Sequence, residues 1–287
     1  MGIFQPPVPP LKGGIDLSGQ SALVTGASRG IGREICNQFL EHKLSSLILA
    51  VRNVEVGETV RKELLAQYPQ ARIEVLRFDA ADLEGVKRFA ADVKAKFPEL
   101  HIAMLNAGLG TFWRETAGGH EMNVQVNYIA NVLLTLELLP LLEATADKTG
   151  KPSRITWTGS RMYRGSTLLK PGALPTGEAP IAHLDKAKNV HAGLRYCNSK
   201  LLVAAWILEL AEHYKSSDKV IVNNFCPGAI ITGMADPLPL IVRVPVKLFT
   251  NMRGRSVDKA GWIALNAAVH AGKESHGRLL GDMELVE

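Results

Sequence analysis

The stretch SALVTGASRGIGREICNQFLEHK, residues 21–43, decides the fold. It opens on an apolar run of strand character and closes on apolar residues at helical spacing, with Gly26, Gly30 and Gly32 between the two. Glycines let a backbone turn sharply there and come close to a pyrophosphate, at which the following helix aims its positive end. The same alternation continues outward from this unit. Strand-like runs recur at SLILAVR (46–52), RIEVLRFD (72–79), IAMLNAG (102–108), RITWTGS (154–160) and VIVNNFCPG (220–228). Between them lie helical spacings in VEVGETVRKELLAQY, DLEGVKRFAADVKAKF, EMNVQVNYIANVLLTLELLPLLE and RYCNSKLLVAAWILELAEHYK. Continuous apolar strands imply burial on both faces. Alternation with helices implies right-handed crossovers, and so a single α/β domain with a doubly wound parallel sheet of Rossmann type. Ligands then belong at the carboxyl ends of the strands.

The domain is expected to run over 18–287, preceded by an extended proline-rich arm at 1–17. Two stretches are expected to be irregular substrate loops, about 161–194 because it carries glycines, prolines and polar residues, and about 230–256 because prolines interrupt its apolar run. Within the second, the apolar segment 238–249 interleaved with Arg243 and Lys247 has two open readings, a lid or a membrane-surface contact. The hydrophobic fraction of 46% and charged fraction of 21% exclude a disordered chain. A net charge of +5, spread through the sequence, speaks against nucleic acid as a partner and suits a polyanionic cofactor. Cys36, Cys197 and Cys226 form no CxxC pair, which points to a reducing, cytoplasmic compartment. No apolar run reaches the roughly 20 residues of a transmembrane helix, the start lacks the pattern of a signal peptide, and no metal site is expected.

The glycine stretch Thr25-Gly26-Ala27-Ser28-Arg29-Gly30-Ile31-Gly32 has the spacing TGxxxGxG rather than GxGxxG. Asn106-Ala107-Gly108 ends the fourth strand, Ser160 the fifth, and Tyr196 and Lys200 stand four apart, one turn along one helix face. A nearby ammonium stabilises a phenolate, which would tune Tyr196 toward acid/base work. Asn127 is a polar amide in an otherwise apolar helix, with Asn123 and Asn131 one turn to either side, and Pro227-Gly228 precedes Thr232. Taken in this order, the motifs resemble the short-chain dehydrogenase/reductase family. The wording LILAVRN, GGHEMNVQVN and RYCNSKLL is similar to its retinol-dehydrogenase and carbonyl-reductase-like members.

The resemblance implies a catalytic group of Asn127, Ser160, Tyr196 and Lys200. In the family that asparagine helps hold a water relaying protons to the lysine. It also implies a cofactor site formed by Gly26, Ser28, Arg29, Gly30, Ile31, Gly32, Asp79, Asn106, Ala107, Gly108, Tyr196, Lys200, Pro227, Gly228 and Thr232. Asp79 would reach the adenine or instead cap the next helix. At the end of the second strand an acid would bond the ribose of NAD and repel a 2′-phosphate. Arg52 and Asn53 stand there instead, so NADP(H) is the expected cofactor.

The expected activity is that of an NADP(H)-dependent ketoreductase or alcohol dehydrogenase for a bulky apolar carbonyl or alcohol, in a chain that forms homo-oligomers as many of the family do. The same site could serve epimerisation or a reduction-coupled cyclisation. A non-catalytic NADP(H)-binding or membrane-associated protein is the third alternative.

Overall fold

The computed structural model describes residues 5–11, 13–215, 218–233, 236 and 238–286. Strands and helices alternate as β1 (Ser21–Thr25), α1 (Gly30–Glu41), β2 (Ser46–Val51), α2 (Val54–Gln67), β3 (Arg72–Arg77), α3 (Leu83–Lys96) and β4 (Ile102–Leu105). A small hairpin, β5 (Thr116–Ala117) and β6 (His120–Glu121), leads into one long helical rod. The rod starts as α4 (Met122–Val124), widens to a π turn at Gln125–Ile129 and continues as α5 (Ala130–Thr149). Then come β7 (Ser153–Thr158), α6 (Pro180–Lys186), α7 (Ala192–His213), β8 (Val220–Cys226), α8 (Leu240–Arg253), α9 (Val257–Leu265), β9 (Leu279–Gly281) and β10 (Glu284–Leu285).

The main sheet runs β3-β2-β1-β4-β7-β8-β9-β10, parallel except for β10. Strand order reverses between β1 and β4, which opens a crevice beyond their carboxyl ends. Every residue of β1, β4 and β8 is buried. Alternate side chains serve opposite layers. Leu23, Ile48 and Ala50 join Phe89, Leu134 and Ile207 from α3, α5 and α7. Val24, Leu47 and Leu49 join Ile35, Phe39 and Ile263 from α1 and α9. The three-layer sandwich expected from the alternation is what the chain forms.

Two expectations need correction. The stretch 230–256 is not irregular throughout, because α8 occupies Leu240–Arg253 with Pro245 inside it. The amides of Val242 and Arg243 both close on the Pro239 carbonyl before Pro245 is reached, so the proline removes one later bond without preventing the first turn. The stretch 161–194 likewise holds two 3₁₀ turns and α6, whose Pro180 sits at the helix start, where a missing N–H costs little. Residues 1–4 and 12 of the expected arm, and 234, 235 and 237 of the second loop, lie outside the described residues. The remainder of the arm docks on the domain, with Val8 and Leu17 buried and the Gln5 amide paired with both the N–H and the carbonyl of Ala229.

Candidate active site

At the crevice, β1 and β4 are laced together. Thr25 Oγ1 accepts the Ala107 N–H at 2.9 Å, and its carbonyl accepts Asn106 Nδ2 at 3.1 Å. The Asn106 side-chain oxygen Oδ1 in turn accepts the Thr158 hydroxyl at 3.1 Å, which brings in the end of β7. Asn106-Ala107-Gly108 therefore forms the floor between glycine loop and sheet. Gly26 turns at φ +69°, a left-handed conformation that suits glycine. A Cβ on Gly32 would stand 2.3 Å from the Gly26 carbonyl, so only glycine lets α1 enter this close to the loop. The residue preceding α1, Arg29, makes no side-chain cap, and the first turn carries no acid. Its amides, with Ser28, Gly30 and Ile31 around them, suit an anion such as a pyrophosphate. Thr232 crosses the crevice to the loop, its methyl 3.7 Å from where a Gly30 Cβ would be.

Beyond β2, Arg52 and Arg29 are exposed, and among the described residues neither has a carboxylate within salt-bridge distance. Asn53 departs from the expectation: its side-chain oxygen accepts the Val56 N–H at 3.2 Å and caps α2, so that oxygen is committed to the helix. Asp79 does not cap α3, because Asp82 does so by accepting the Gly85 N–H. Asp79 instead accepts the Ala81 N–H at 3.0 Å, which turns the chain at the crevice. Pro227-Gly228 turns with Gly228 at φ +83°, backed by Gln5 and Arg255.

The expected catalytic residues converge. Tyr196 and Lys200 lie one turn apart on α7, with Lys200 Nζ 5.6 Å from the tyrosine ring centroid and donating to the Thr158 carbonyl at 2.7 Å. Ser160 follows β7, hydrogen-bonds the Tyr196 phenol and accepts the Met162 N–H. Gly108 passes 3.8 Å, measured from a Cβ placed on it, from Lys200 Nζ. Asn127 sits in the π turn, a helix irregularity common at functional sites. Its amide clamps the Leu109 backbone at both N–H and carbonyl and donates to Ser199 Oγ at 3.0 Å.

The other two asparagines separate cleanly from it. Asn131 donates to the Val126 and Asn127 carbonyls, satisfying the bonds that the π turn lengthens, and Asn123 bonds Thr111 and Glu121. Sequence spacing alone could not rank the three, because each is buried and the periodicity breaks between them.

Burial sets the electrostatics here. It pushes the Tyr196 phenol up to about 12, against the pull of the Ser160 hydrogen bond and with the Cys226 and Cys197 thiols adding to the rise. It draws the Lys200 ammonium down to about 8. Lys200 donates to a carbonyl, and desolvation outweighs whatever lowering of Tyr196 its ammonium brings by itself. Thr25, Thr158, Ser199, Gln5 and the buried Glu121 and Arg195 were not foreseen. For Glu121 and Arg195 the one available signal was a charged residue at the head of a helical stretch, before MNVQV and before YCNSKLL.

The family profile described as short chain dehydrogenase matches residues 20–161. The short chain dehydrogenase macD of Penicillium terrestre is 42% identical over 98% of this chain and 87% of its own. The short chain dehydrogenase yanD of Aspergillus niger is 40% identical over 99% of this chain and 88% of its own. The chain belongs to the short-chain dehydrogenase/reductase family. As a short-chain dehydrogenase/reductase it is an oxidoreductase, and the Rossmann sheet described above is the fold of its solved neighbours. The Pseudomonas aeruginosa RhlG/NADP active-site complex has a TM-score of 0.69 at 21% identity, covering 93% of this chain and 96% of that one. A 7α-hydroxysteroid dehydrogenase complexed with NADH and 7-oxo glycochenodeoxycholic acid has a TM-score of 0.69 at 19% identity, covering 93% and 94%.

Proposed function

We propose that this short-chain dehydrogenase/reductase is an NADP(H)-dependent ketoreductase or alcohol dehydrogenase for a bulky apolar carbonyl or alcohol. The observation that carries the reading is the convergence of Ser160, Tyr196 and Lys200 beside Gly108, at the carboxyl ends of the strands. Tyr196 gives the substrate oxygen a proton in reduction and removes it in oxidation. Ser160 directs that oxygen to the phenol, and Lys200 carries the compensating charge. Asn127 braces the Leu109 backbone and the tyrosine helix, and is the residue assigned to the proton relay. The glycine loop, Asp79, the Asn106–Gly108 floor, Lys200, Pro227, Gly228 and Thr232 would hold the dinucleotide. When bound, NADPH supplies the hydride. Incubation with NADPH and a panel of aldehydes and ketones, followed at 340 nm, tests the reading. Tight NADPH binding without turnover on any of them would sink it, and a product of unchanged oxidation state would favour epimerisation.

Both nicotinamide cofactors occur among the solved neighbours, so the choice rests on charge at the end of β2. Two exposed guanidiniums, Arg52 and Arg29, suit a 2′-phosphate, and the positions that end β2 and follow it, Val51 to Val54, carry no acid. Arg52→Asp is expected to raise the KM for NADPH about 10- to 100-fold while lowering that for NADH, as a charge-assisted hydrogen bond of roughly 1.5–3 kcal/mol is lost. Steady-state kinetics with both cofactors checks it, and an unchanged ratio would remove Arg52 from the site.

A second reading concerns α8. Leu240, Ile241, Val244, Leu248, Phe249 and Met252 are all exposed on it, and the helix carries no acid. This arc favours peripheral contact with a lipid surface, from which an apolar substrate would be drawn. Sedimentation with anionic vesicles tests it, and protein left in the supernatant at low salt would dismiss it.

A further inference from the structure

The residue before the tyrosine has no part in the proposed chemistry, yet it is among the most deeply engaged in the molecule. Arg195 is 7% exposed and faces Glu121, itself 2% exposed, with Nε and Oε1 3.2 Å apart. The rest of its guanidinium is divided between two segments. Nη1 donates to the Val190 carbonyl at 2.6 Å, in the stretch leading into α7. Nη2 donates to the carbonyls of Thr111 and Phe112 at 3.1 and 3.0 Å, in the loop after β4. Glu121 is in turn fixed from its other side, its carboxylate accepting the amides of Asn123 and Val124. A buried ion pair adds little net stability over apolar packing of the same volume. What a planar fork of five donors supplies is geometry, because it reaches three carbonyls in two segments and a carboxylate at once, more acceptors than the three donors of an ammonium can serve.

The loop held in this way is the wall beside the tyrosine. A Cβ placed on Gly110 would lie 3.5 Å from the Tyr196 ring. Next along, Phe112 and Trp113 stack edge to face with centroids 4.7 Å apart, and Trp113 is left 67% exposed. An aromatic pair with one large face in solvent, on a loop pinned through its carbonyls, is a contact surface rather than a core element.

We infer that Arg195 is a positioning residue that, with Glu121, fixes Thr111 and Phe112 in the loop after β4 so that Phe112 and Trp113 form the substrate-side wall, and that this wall takes a planar, ring-bearing apolar carbonyl compound. The inference rests on the oxidoreductase reading for its substrate, but not for its geometry.

The test uses Arg195→Lys, which keeps the charge facing Glu121 and loses the fork, compared with wild type and with Trp113→Ala. Trp113 fluorescence is isolated by subtracting the Trp113→Phe form of each protein. In Arg195→Lys, the Trp113 emission maximum and its quenching by acrylamide are expected to shift. The KM for a ring-bearing ketone is expected to rise at least tenfold, with kcat changed less than threefold and NADPH affinity within twofold. Trp113→Ala, at an exposed position, is expected to raise that KM at least fivefold and to leave the KM for a short aliphatic aldehyde unchanged. Trp113 emission and KM both at wild-type values in folded Arg195→Lys would overturn the positioning role, and equal effects of Trp113→Ala on both substrates would overturn the aromatic wall. If Arg195→Lys does not fold, the Trp113→Ala comparison decides by the same criterion. If wild type turns over no carbonyl compound, the oxidoreductase reading and the substrate class fall, while the Trp113 emission of Arg195→Lys still decides the clamp.

Discussion

Tyr196→Phe is expected to lower kcat and kcat/KM for carbonyl reduction about 10²–10⁴-fold, the range that a positioned general acid contributes. The ring that packs under Gly110 and beside Lys200 is retained, so NADPH affinity and Tm should stay at wild-type values. Ser160 loses its phenol partner but keeps the Met162 N–H, which limits rearrangement of the turn. The pH dependence carries a second signature. With the phenol held near 12 by burial, the proton to be donated is present throughout the neutral range. Lys200, drawn down to about 8, is the group that titrates first, and its positive charge is lost as pH rises. The kcat/KM for reduction is therefore expected to be flat below about pH 8 and to fall above it, since this ratio reports the free enzyme. A Phe variant retaining a tenth or more of wild-type kcat in a stopped-flow single turnover would assign the proton to another group.

The sheet and the convergence of Ser160, Tyr196 and Lys200 at its carboxyl edge were legible in the sequence for one physical reason. Strands buried on both faces read as unbroken apolar runs, and residues at their carboxyl ends inherit a known position. Ser160, Asn106 and the glycine loop could thus be located without coordinates, and Tyr196 and Lys200 follow from the 3.6-residue period. What periodicity cannot carry is what was missed. The π turn at Gln125–Ile129 shifts the helical phase within the rod, so spacing alone leaves Asn123, Asn127 and Asn131 equivalent, and it is the family resemblance that singles out Asn127. α8 was hidden because Pro239 and Pro245 read as breakers, although the first helical turn closes ahead of the second of them. Contacts made across the fold left no local trace at all. Gln5 meets Ala229 from 224 residues away, and Arg195 meets Thr111 across 84. Asn53 was assigned to the cofactor by position, but position at a strand end is also position at a helix start, and its side-chain oxygen serves the cap.

Lys200→Met is expected to change activity and stability in opposite directions. Turnover should fall about 10²-fold or more, because the charge that accompanies proton transfer at Tyr196 is removed. Stability at pH 7 should rise. Burial that draws this lysine from its ordinary 10.5 to about 8 disfavours the folded state by roughly 3 kcal/mol wherever the group is charged in both states. Methionine fills the same channel without that charge. The lost bond from Nζ to the Thr158 carbonyl returns about 1 kcal/mol of the gain. A net increase of about 2 kcal/mol follows, or a Tm higher by roughly 3 °C.

The sign can be checked by pH. Between about 8 and 10.5 the unfolded chain binds the lysine proton and the folded chain does not, so wild-type stability rises through that window. The advantage of the variant should accordingly be full below pH 8, shrink as pH rises, and give way by about pH 10.5 to a deficit of about 1 kcal/mol from the lost Thr158 bond. Tyr196, raised to about 12 in both proteins, makes each less stable between about pH 10 and 12 and cancels in the difference. Thermal denaturation of the pair at pH 7 and pH 10 measures this directly. A variant less stable than wild type at pH 7 would mean that the ammonium is held there to support the end of β7 through Thr158. A variant more stable and inactive would mean that the fold tolerates a buried charge at that point because the reaction uses it.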